Sequence, residues 1–407
     1  MDLLQAKEIV VEAGKQLVAT GLIARTWGNV SCRISDTQFV ITPSGRDYLS
    51  LTPDDIVVVN LEDLSYEGDI KPSSEKGLHA QCYILRKDCN FVIHTHQANA
   101  SIVSAIGCDV NGITGYSKDI IGDNIPVASY GLPGTGKLRE GVVGALKRSD
   151  SKAVIMKSHG AVCLGADYDD AFKVANEVEK VCAEFIYNKY AELTGKATDT
   201  FKGVYDYVVD LKKRADMPAA KLNAYDSIRI DDAVILSDKE GNEVATVGLF
   251  GKKDELITGD KYPSEADLHR AIYQKRDEIG AIIHSQEDAI VAASKIGKTL
   301  KPFLDDFAQI VGVTVKCAEF DPNYTAKSAK KVAKKIAKKG TNAVLLKDNG
   351  AICCGPNKDE ASAAEMVMEK NCKSVISSEL FGNAKPLSKL DCVVMNVVYR
   401  LKYSKQK

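Results

Sequence analysis

The sequence predicts an α/β layer protein that is built twice within one chain. Segments rich in Val and Ile, such as TQFVITPS, DIVVVNL, NFVIHTH and KAVIMKSHGAVCLG, read as strands. Segments with apolar residues at three- and four-residue intervals, such as SEKGLHAQCYILRK and TGKLREGVVGALKR, read as helices. The whole pattern then recurs at one ungapped offset of 190 residues. KPSSEKGLHAQCY (71–83) falls on KYPSEADLHRAIY (261–273), and FVIHTHQANASIVSAIG (91–107) on AIIHSQEDAIVAASKIG (281–297). Residues 135–166 likewise fall on 325–356, and Cys182 on Cys372. A single register held over more than a hundred residues is the mark of a tandem duplication.

The individual elements follow from local chemistry. The first residues, MDLLQAKEIVVEAGK, carry Asp2, Lys7 and Glu8 within an apolar run, so they read as an amphipathic helix and not as a signal peptide. Asp167, Asp169 and Asp170 favour the start of the long helix that follows them, and Gly195 its end. The copies differ at their beginnings. Residues 1–60 hold a helix and then TWGNVSCRISDTQFVITPSGRDY, whereas YDSIRIDDAVILSDKEGNEVATVGLFGKK has strand-like alternation without the GN turn or the TPSG loop. The charged stretch around Met217 and Pro218 marks the junction, giving domains of 1–215 and 216–407. AKSAKKVAKKIAKKG carries seven lysines, but Val332 and Ile336 lie four apart, so it reads as a solvated surface helix.

Composition narrows the function. The chain has 407 residues, 45% apolar and 27% charged, enough for two cores. Lys plus Arg is 54 against 55 for Asp plus Glu, a net charge of -1, which speaks against a dedicated nucleic-acid binder. No apolar run reaches the roughly 18–20 residues of a membrane span. The eleven cysteines are scattered without paired spacing, as expected of thiols in a cytoplasmic protein.

All six histidines fall within the repeated region. His94 and His96 flank Thr95 on a strand, so both imidazoles project to one face. His159 follows a second strand and precedes Gly160. Three neutral imidazoles with one coordination position open form the pattern of a catalytic zinc site, although an HxH pair also fits two histidines packed at a strand end. The second copy separates the readings. His94 remains as His284, but His96 has become Gln286 and His159 has become Asn349. A shared metal links those two losses, and packing does not. Glu75 opens a helix after Pro72, Ser73 and Ser74, where a carboxylate also serves as a cap. Ser73 and Ser74 suit an anion at that terminus, and the turns at Gly28-Asn29 and at Thr42-Pro43-Ser44-Gly45 suit the same anion. His79, kept as His269, is expected to be structural.

Thr26-Trp27-Gly28-Asn29-Val30-Ser31, Thr42-Pro43-Ser44-Gly45, Pro72-Ser73-Ser74-Glu75, His94-Thr95-His96 and Ser158-His159-Gly160 resemble, in order and spacing, the class II aldolase/adducin family, the fuculose-phosphate aldolase type above all. The resemblance covers residues 1–195 and, in degenerate form, about 220–380. It implies a three-layer αβα fold around a mixed, largely antiparallel sheet, present twice. It implies a Zn²⁺, or another divalent transition metal, held by His94, His96 and His159. It implies phosphate binding by Asn29, Ser44, Gly45, Ser73 and Ser74, with Thr26 nearby, and makes Glu75 the catalytic carboxylate. Family aldolases cleave a ketose 1-phosphate to dihydroxyacetone phosphate and an aldehyde. Other members epimerise, dehydrate or decarboxylate sugar phosphates, and the adducin head is a scaffold. Family aldolases also use a tail tyrosine as acid, for which Tyr116, Tyr205, Tyr207, Tyr399 and Tyr403 are the candidates. The family forms four-fold rings, so two tandem chains are expected to complete one ring as a homodimer.

Overall fold

The computed structural model describes residues 1–23, 27–212, 224–252, 254–382 and 384–403. The chain forms two compact units, the first built on Met1–Asp199 and the second on Thr200–Leu380 with Pro386–Leu401. The expected junction near residue 216 lies outside the described residues.

In the first unit the elements run α1 (Leu3–Ala19), β1 (Asn29–Arg33), β2 (Gln38–Ile41), β3 (Val57–Asn60), α2 (Lys76–Leu85), β4 (Phe91–Thr95), α3 (Ala98–Ile106), β5 (Val110–Asn111), α4 (Gly115–Ile121), β6 (Asn124–Ile125), β7 (Val127–Ala128), α5 (Gly136–Arg148), β8 (Ala153–Met156), β9 (Gly160–Gly165) and α6 (Tyr168–Thr194). The main sheet has the order β3-β2-β1-β4-β9-β8-β7. Every pairing in it is antiparallel except β7 with β8. Leu78, Cys82 and Tyr83 of α2 and Leu138, Val142 and Leu146 of α5 form one core with Phe39, Ile41, Val92 and Val162 of the sheet. Helices α1, α3 and α6 pack on the other face. This is the mixed, mostly antiparallel three-layer sandwich that the sequence led us to expect.

The ends of the helices are set by side chains. Asp2 and Gln5 form a reciprocal capping box on α1. Asp167 accepts from the Asp170 amide at the start of α6, and Gly195 closes it in the left-handed conformation.

The second unit repeats this plan with α7 (Phe201–Leu211), β10 (Asp226–Ile230), β11 (Ala233–Ser237), β12 (Glu243–Gly248), β13 (Leu256–Gly259), α8 (Ala266–Tyr273), β14 (Ala281–Ser285), α9 (Asp288–Ile296), β15 (Cys317–Ala318), α10 (Ala326–Lys335), β16 (Ala343–Leu346), β17 (Gly350–Gly355), α11 (Lys358–Ser378) and α12 (Lys389–Val398). Its sheet order is β13-β12-β11-β10-β14-β17-β16-β15, with only β15 and β16 parallel. Elements β14, α9, β16 and β17 begin and end 190 residues after β4, α3, β8 and β9. Val332 of α10 and Ile336 just beyond it are buried, and six of the seven lysines in the stretch 326–340 are exposed.

The copies differ where their sequences diverge. Cys32 on β1 is 2% exposed where α1 packs, whereas Ile228 and Ile230 on β10 are 37% and 52% exposed. Helix α7 packs on α9 and α11 instead. No described helix is long and apolar enough to cross a membrane.

Candidate active site

Pairing of β4 with β9 sets His94 beside the turn that carries His159, since His94 lies opposite Val162 and Thr95 opposite Ala161. That turn is tight. The amide of His159 donates to the Met156 carbonyl at 3.0 Å, and Ser158 takes the left-handed conformation, φ 61°. Gly160 is required there, because a Cβ would stand 2.1 Å from the Thr95 carbonyl oxygen. His96, one residue beyond β4, points to the same side as His94, with their Nε2 atoms 3.1 Å apart. The three rings lie 4.7–5.0 Å apart between centroids. The sequence-predicted triad therefore converges, with one ligand atom from each ring within 4.8 Å of the others.

Glu75 completes the cluster. It stands at the N-cap position of α2, yet its side chain makes no capping bond. Its carboxylate turns inward, with Oε1 3.3 Å from His159 Nε2 and Oε2 3.5 Å from His94 Nε2. Burial pushes this carboxyl up, but His94, His159 and the Asn29 amide together hold it well below the usual carboxylate range. His94 and His159 are buried, while His96 is partly exposed, so the cluster opens on one side.

These residues fit a divalent metal ion. His94 Nδ1 donates to the Ala161 carbonyl at 2.9 Å. That bond fixes the tautomer and leaves the Nε2 lone pair directed into the cluster, the outer-shell arrangement that metal-ligating histidines use. Nitrogen lone pairs converging beside a carboxylate are a donor set for a cation of intermediate hardness.

The turns at 42–45 and 72–75, expected from the sequence to suit an anion, are brought beside Glu75 by main-chain bonds. Pro43 and Pro72 form a β-bridge. The Ser44 amide donates to the Lys71 carbonyl at 2.9 Å, and the Ser73 amide to the Thr42 carbonyl at 3.0 Å. Ser44 and Gly45, φ 73°, thus adjoin Ser73 and Ser74. Ser73 Oγ accepts from the Glu75 amide at 3.2 Å, and Ser74 is exposed. Gly134, in the loop GLPGTG, approaches Ser74, a contact the sequence did not announce. Asn29 opens β1 and directs its side chain to Glu75, with Nδ2 donating to Oε2 at 2.9 Å. Gly28 is required beside it, for φ is 125° and a Cβ would meet the His94 carbonyl oxygen at 2.5 Å. Thr26 lies outside the described residues.

One group was missed by sequence reasoning, and another has a neighbour the sequence did not show. Tyr48 is buried and donates to the Gly28 carbonyl at 2.6 Å, and burial pushes its phenol up. It follows directly on the TPSGRD run, which was its only signal. His79, read as structural, is fully buried and hydrogen-bonded to Asn29, one step from Glu75. Burial pushes its imidazole down to about 3, with His94 adding to that and Glu75 opposing it, so the ring is neutral. Among the tail candidates, Tyr116 is exposed on α4 and Tyr205 is buried on α7.

In the second unit the same positions close on themselves. Glu265 accepts from His269 Nε2 at 3.2 Å and also contacts His284 Nδ1. His284 Nε2 bonds the Asn349 Oδ1 at 2.7 Å, and Gln286 is exposed.

The profile of the class II aldolase and adducin N-terminal domain matches residues 8–186 and again residues 221–376. The chain belongs to the class II aldolase/adducin family, which it carries in two tandem copies, the second lacking two of the three site histidines. It is similar to the 5-deoxy-D-ribulose 1-phosphate aldolase of Bacillus thuringiensis serovar kurstaki, 33% identical over 46% of this chain and 86% of that protein. It is also similar to the L-fuculose phosphate aldolase of Escherichia coli strain K12, 34% identical over 42% of this chain and 77% of that protein. A solved L-fuculose 1-phosphate aldolase structure aligns with a TM-score of 0.43 and 28% identity, over 48% of this chain and 89% of that one.

Proposed function

We propose that this protein is a zinc-dependent aldolase, a carbon–carbon lyase that cleaves a ketose 1-phosphate to dihydroxyacetone phosphate and an aldehyde in its first unit. The observation that carries the reading is the convergence of His94, His96 and His159 on Glu75 beside the bridged turns at 42–45 and 72–75. The names of the two relatives, both sugar-phosphate aldolases, support it. We read residues 1–215 as the working copy and 216–407 as a degenerate copy without catalysis.

His94, His96 and His159 would hold the zinc, or another divalent transition metal. When bound, it supplies Lewis acidity toward the carbonyl and neighbouring hydroxyl oxygens of the ketose. Ser44, Gly45, Ser73, Ser74 and Asn29 hold the phosphate and fix the reacting carbons in place. Retro-aldol cleavage leaves the three-carbon fragment as an enediolate, which must take a proton at C3. Glu75 moves that proton, and in the synthetic direction removes it. The protein works in the cytoplasm on this reading, with a small sugar phosphate as its partner.

The purified protein, assayed with a panel of ketose 1-phosphates, should release dihydroxyacetone phosphate and contain one zinc per chain. An isomerised or dehydrated product would overturn the aldolase reading. A metal content of zero or two per chain would overturn the site assignment. His96→Ala should lose metal and activity together.

We also infer a homodimer whose four lobes form a pseudo-four-fold ring. Its support is surface that a second copy would bury. Helix α12 exposes Leu390, Val393, Val394 and Val397 in one stripe, and β10 exposes Ile228 and Ile230. Light scattering should give the mass of two chains, and a mass of one chain at micromolar concentration would rule the ring out.

A further inference from the structure

The carboxylate of Glu75 ends a buried hydrogen-bond chain whose directions are fixed by donor and acceptor chemistry. Asn29 Nδ2 donates to Glu75 Oε2 at 2.9 Å. Asn29 Oδ1 meets His79 Nε2, and an amide oxygen only accepts, so His79 carries its proton on Nε2. His79 Nδ1 must then accept, and Ser31 Oγ lies 2.7 Å away. With the Ser31 proton spent on His79, the Tyr83 hydroxyl, 2.6 Å off, donates to Ser31. All five side chains are buried, and each keeps a single role in the chain.

The second unit serves as an internal control. There His269 Nδ1 lies 2.7 Å from Ser227 Oγ, which lies 2.9 Å from the Tyr273 hydroxyl. Ser31 pairs with Val92 and Ser227 with Ile282, one repeat later, so the two serines are equivalent and Asn29 corresponds to Tyr225. With no side-chain amide at that position, His269 Nε2 reaches Glu265 Oε1 directly at 3.2 Å. Where the amide is absent, the carboxylate lies against the buried histidine as well as against His284, the counterpart of His94. Where the amide is present, Asn29 stands between the carboxylate and His79, and the carboxylate reaches toward His94 and His159.

We propose that Asn29 and His79 are positioning residues for Glu75, with the Asn29 amide acting as a spacer that keeps the carboxylate off His79 and so leaves it to His94 and His159. Ser31 and Tyr83 anchor the chain by holding the His79 tautomer. An amide nitrogen has two hydrogens, and Glu75 uses one. The other remains for substrate phosphate, so the same side chain links phosphate binding to the placement of the carboxylate. The catalytic consequence rests on the aldolase reading, and the placement of Glu75 does not.

The test uses the full-length zinc-loaded protein. His79→Leu should lower kcat for C3 hydrogen exchange of dihydroxyacetone phosphate by roughly 10- to 100-fold, the range found for outer-shell partners. KM and zinc content should hold. His79→Gln, whose amide nitrogen stands near the position of Nε2, should recover most of that loss. Equal losses in both variants, tracking their melting temperatures, would reduce His79 to a core residue and overturn the proposal. A crystal structure of Asn29→Ala gives a readout independent of activity. Glu75 should swing to hydrogen-bond distance of His79 Nε2, as Glu265 lies on His269, and an unmoved Glu75 would refute the spacer role. Absence of exchange in the unaltered protein would defeat the aldolase reading alone, since the Asn29→Ala structure still decides the placement.

Discussion

Glu75→Gln is expected to keep its zinc and to lose C3 hydrogen exchange of dihydroxyacetone phosphate by roughly 10²- to 10⁴-fold, the usual contribution of a positioned acid–base group. Glutamine has the same shape, and its amide oxygen still accepts from Asn29 Nδ2, so the buried chain stays satisfied. What disappears is the ability to take a proton. His94, His96 and His159 are untouched, and His94 keeps its bond to the Ala161 carbonyl. Metal analysis beside exchange measured by NMR in deuterated water separates the two effects. Exchange at the native rate would show that Glu75 is not the proton carrier, and the missing capping bond of its side chain would then need another explanation. Loss of zinc together with exchange would make Glu75 a ligand before anything else.

The second large effect falls in the second copy. Glu265→Leu should destabilise the second unit by about 3–5 kcal/mol, as expected when one partner of a buried charged network is removed. Glu265 is 1% exposed and accepts from His269, His284 and the Tyr225 amide, the last at 3.3 Å. The substitution leaves those donors facing hydrocarbon. The pH dependence has a definite sign. Burial raises this carboxyl, but His284 and His269 outweigh it and hold it at about 2, below the roughly 4.3 of an unfolded glutamate. Its contribution is therefore full above about pH 4.3 and fades as pH falls toward 2. Thermal melts should show a wide gap between the native protein and Glu265→Leu at pH 7, and a narrower gap at pH 3. A gap of constant size would mean that the loss comes from packing and not from the charge.

Much of this protein is determined by its sequence alone. The offset of 190 residues established the duplication, and the structure places β14, α9, β16 and β17 at that offset. Strand alternation put His94 and His96 on one face, and the paired changes at Gln286 and Asn349 tied His159 to them. Asp167 and Gly195 bounded α6 as their chemistry requires. Each of these inferences depends on local periodicity, local capping or comparison of one copy with the other, all of which are written in the order of residues.

Tertiary structure decided the rest. Local chemistry allowed Glu75 to be a cap or a site carboxylate, and only the approach of β4 and the His159 turn drew its side chain inward. The bridge between Pro43 and Pro72 joined two turns that looked unrelated in sequence. Asn29 meets Glu75 across 46 residues and His79 across 50, a spacing to which no helix or strand period corresponds. The same holds for the sheet face that α1 covers in the first unit and that leaves Ile228 and Ile230 exposed in the second. Short-range order follows from backbone geometry and side-chain type, so a single sequence reveals it. The partner of a buried polar group is set by which strands lie side by side, and that is known only once the chain has folded.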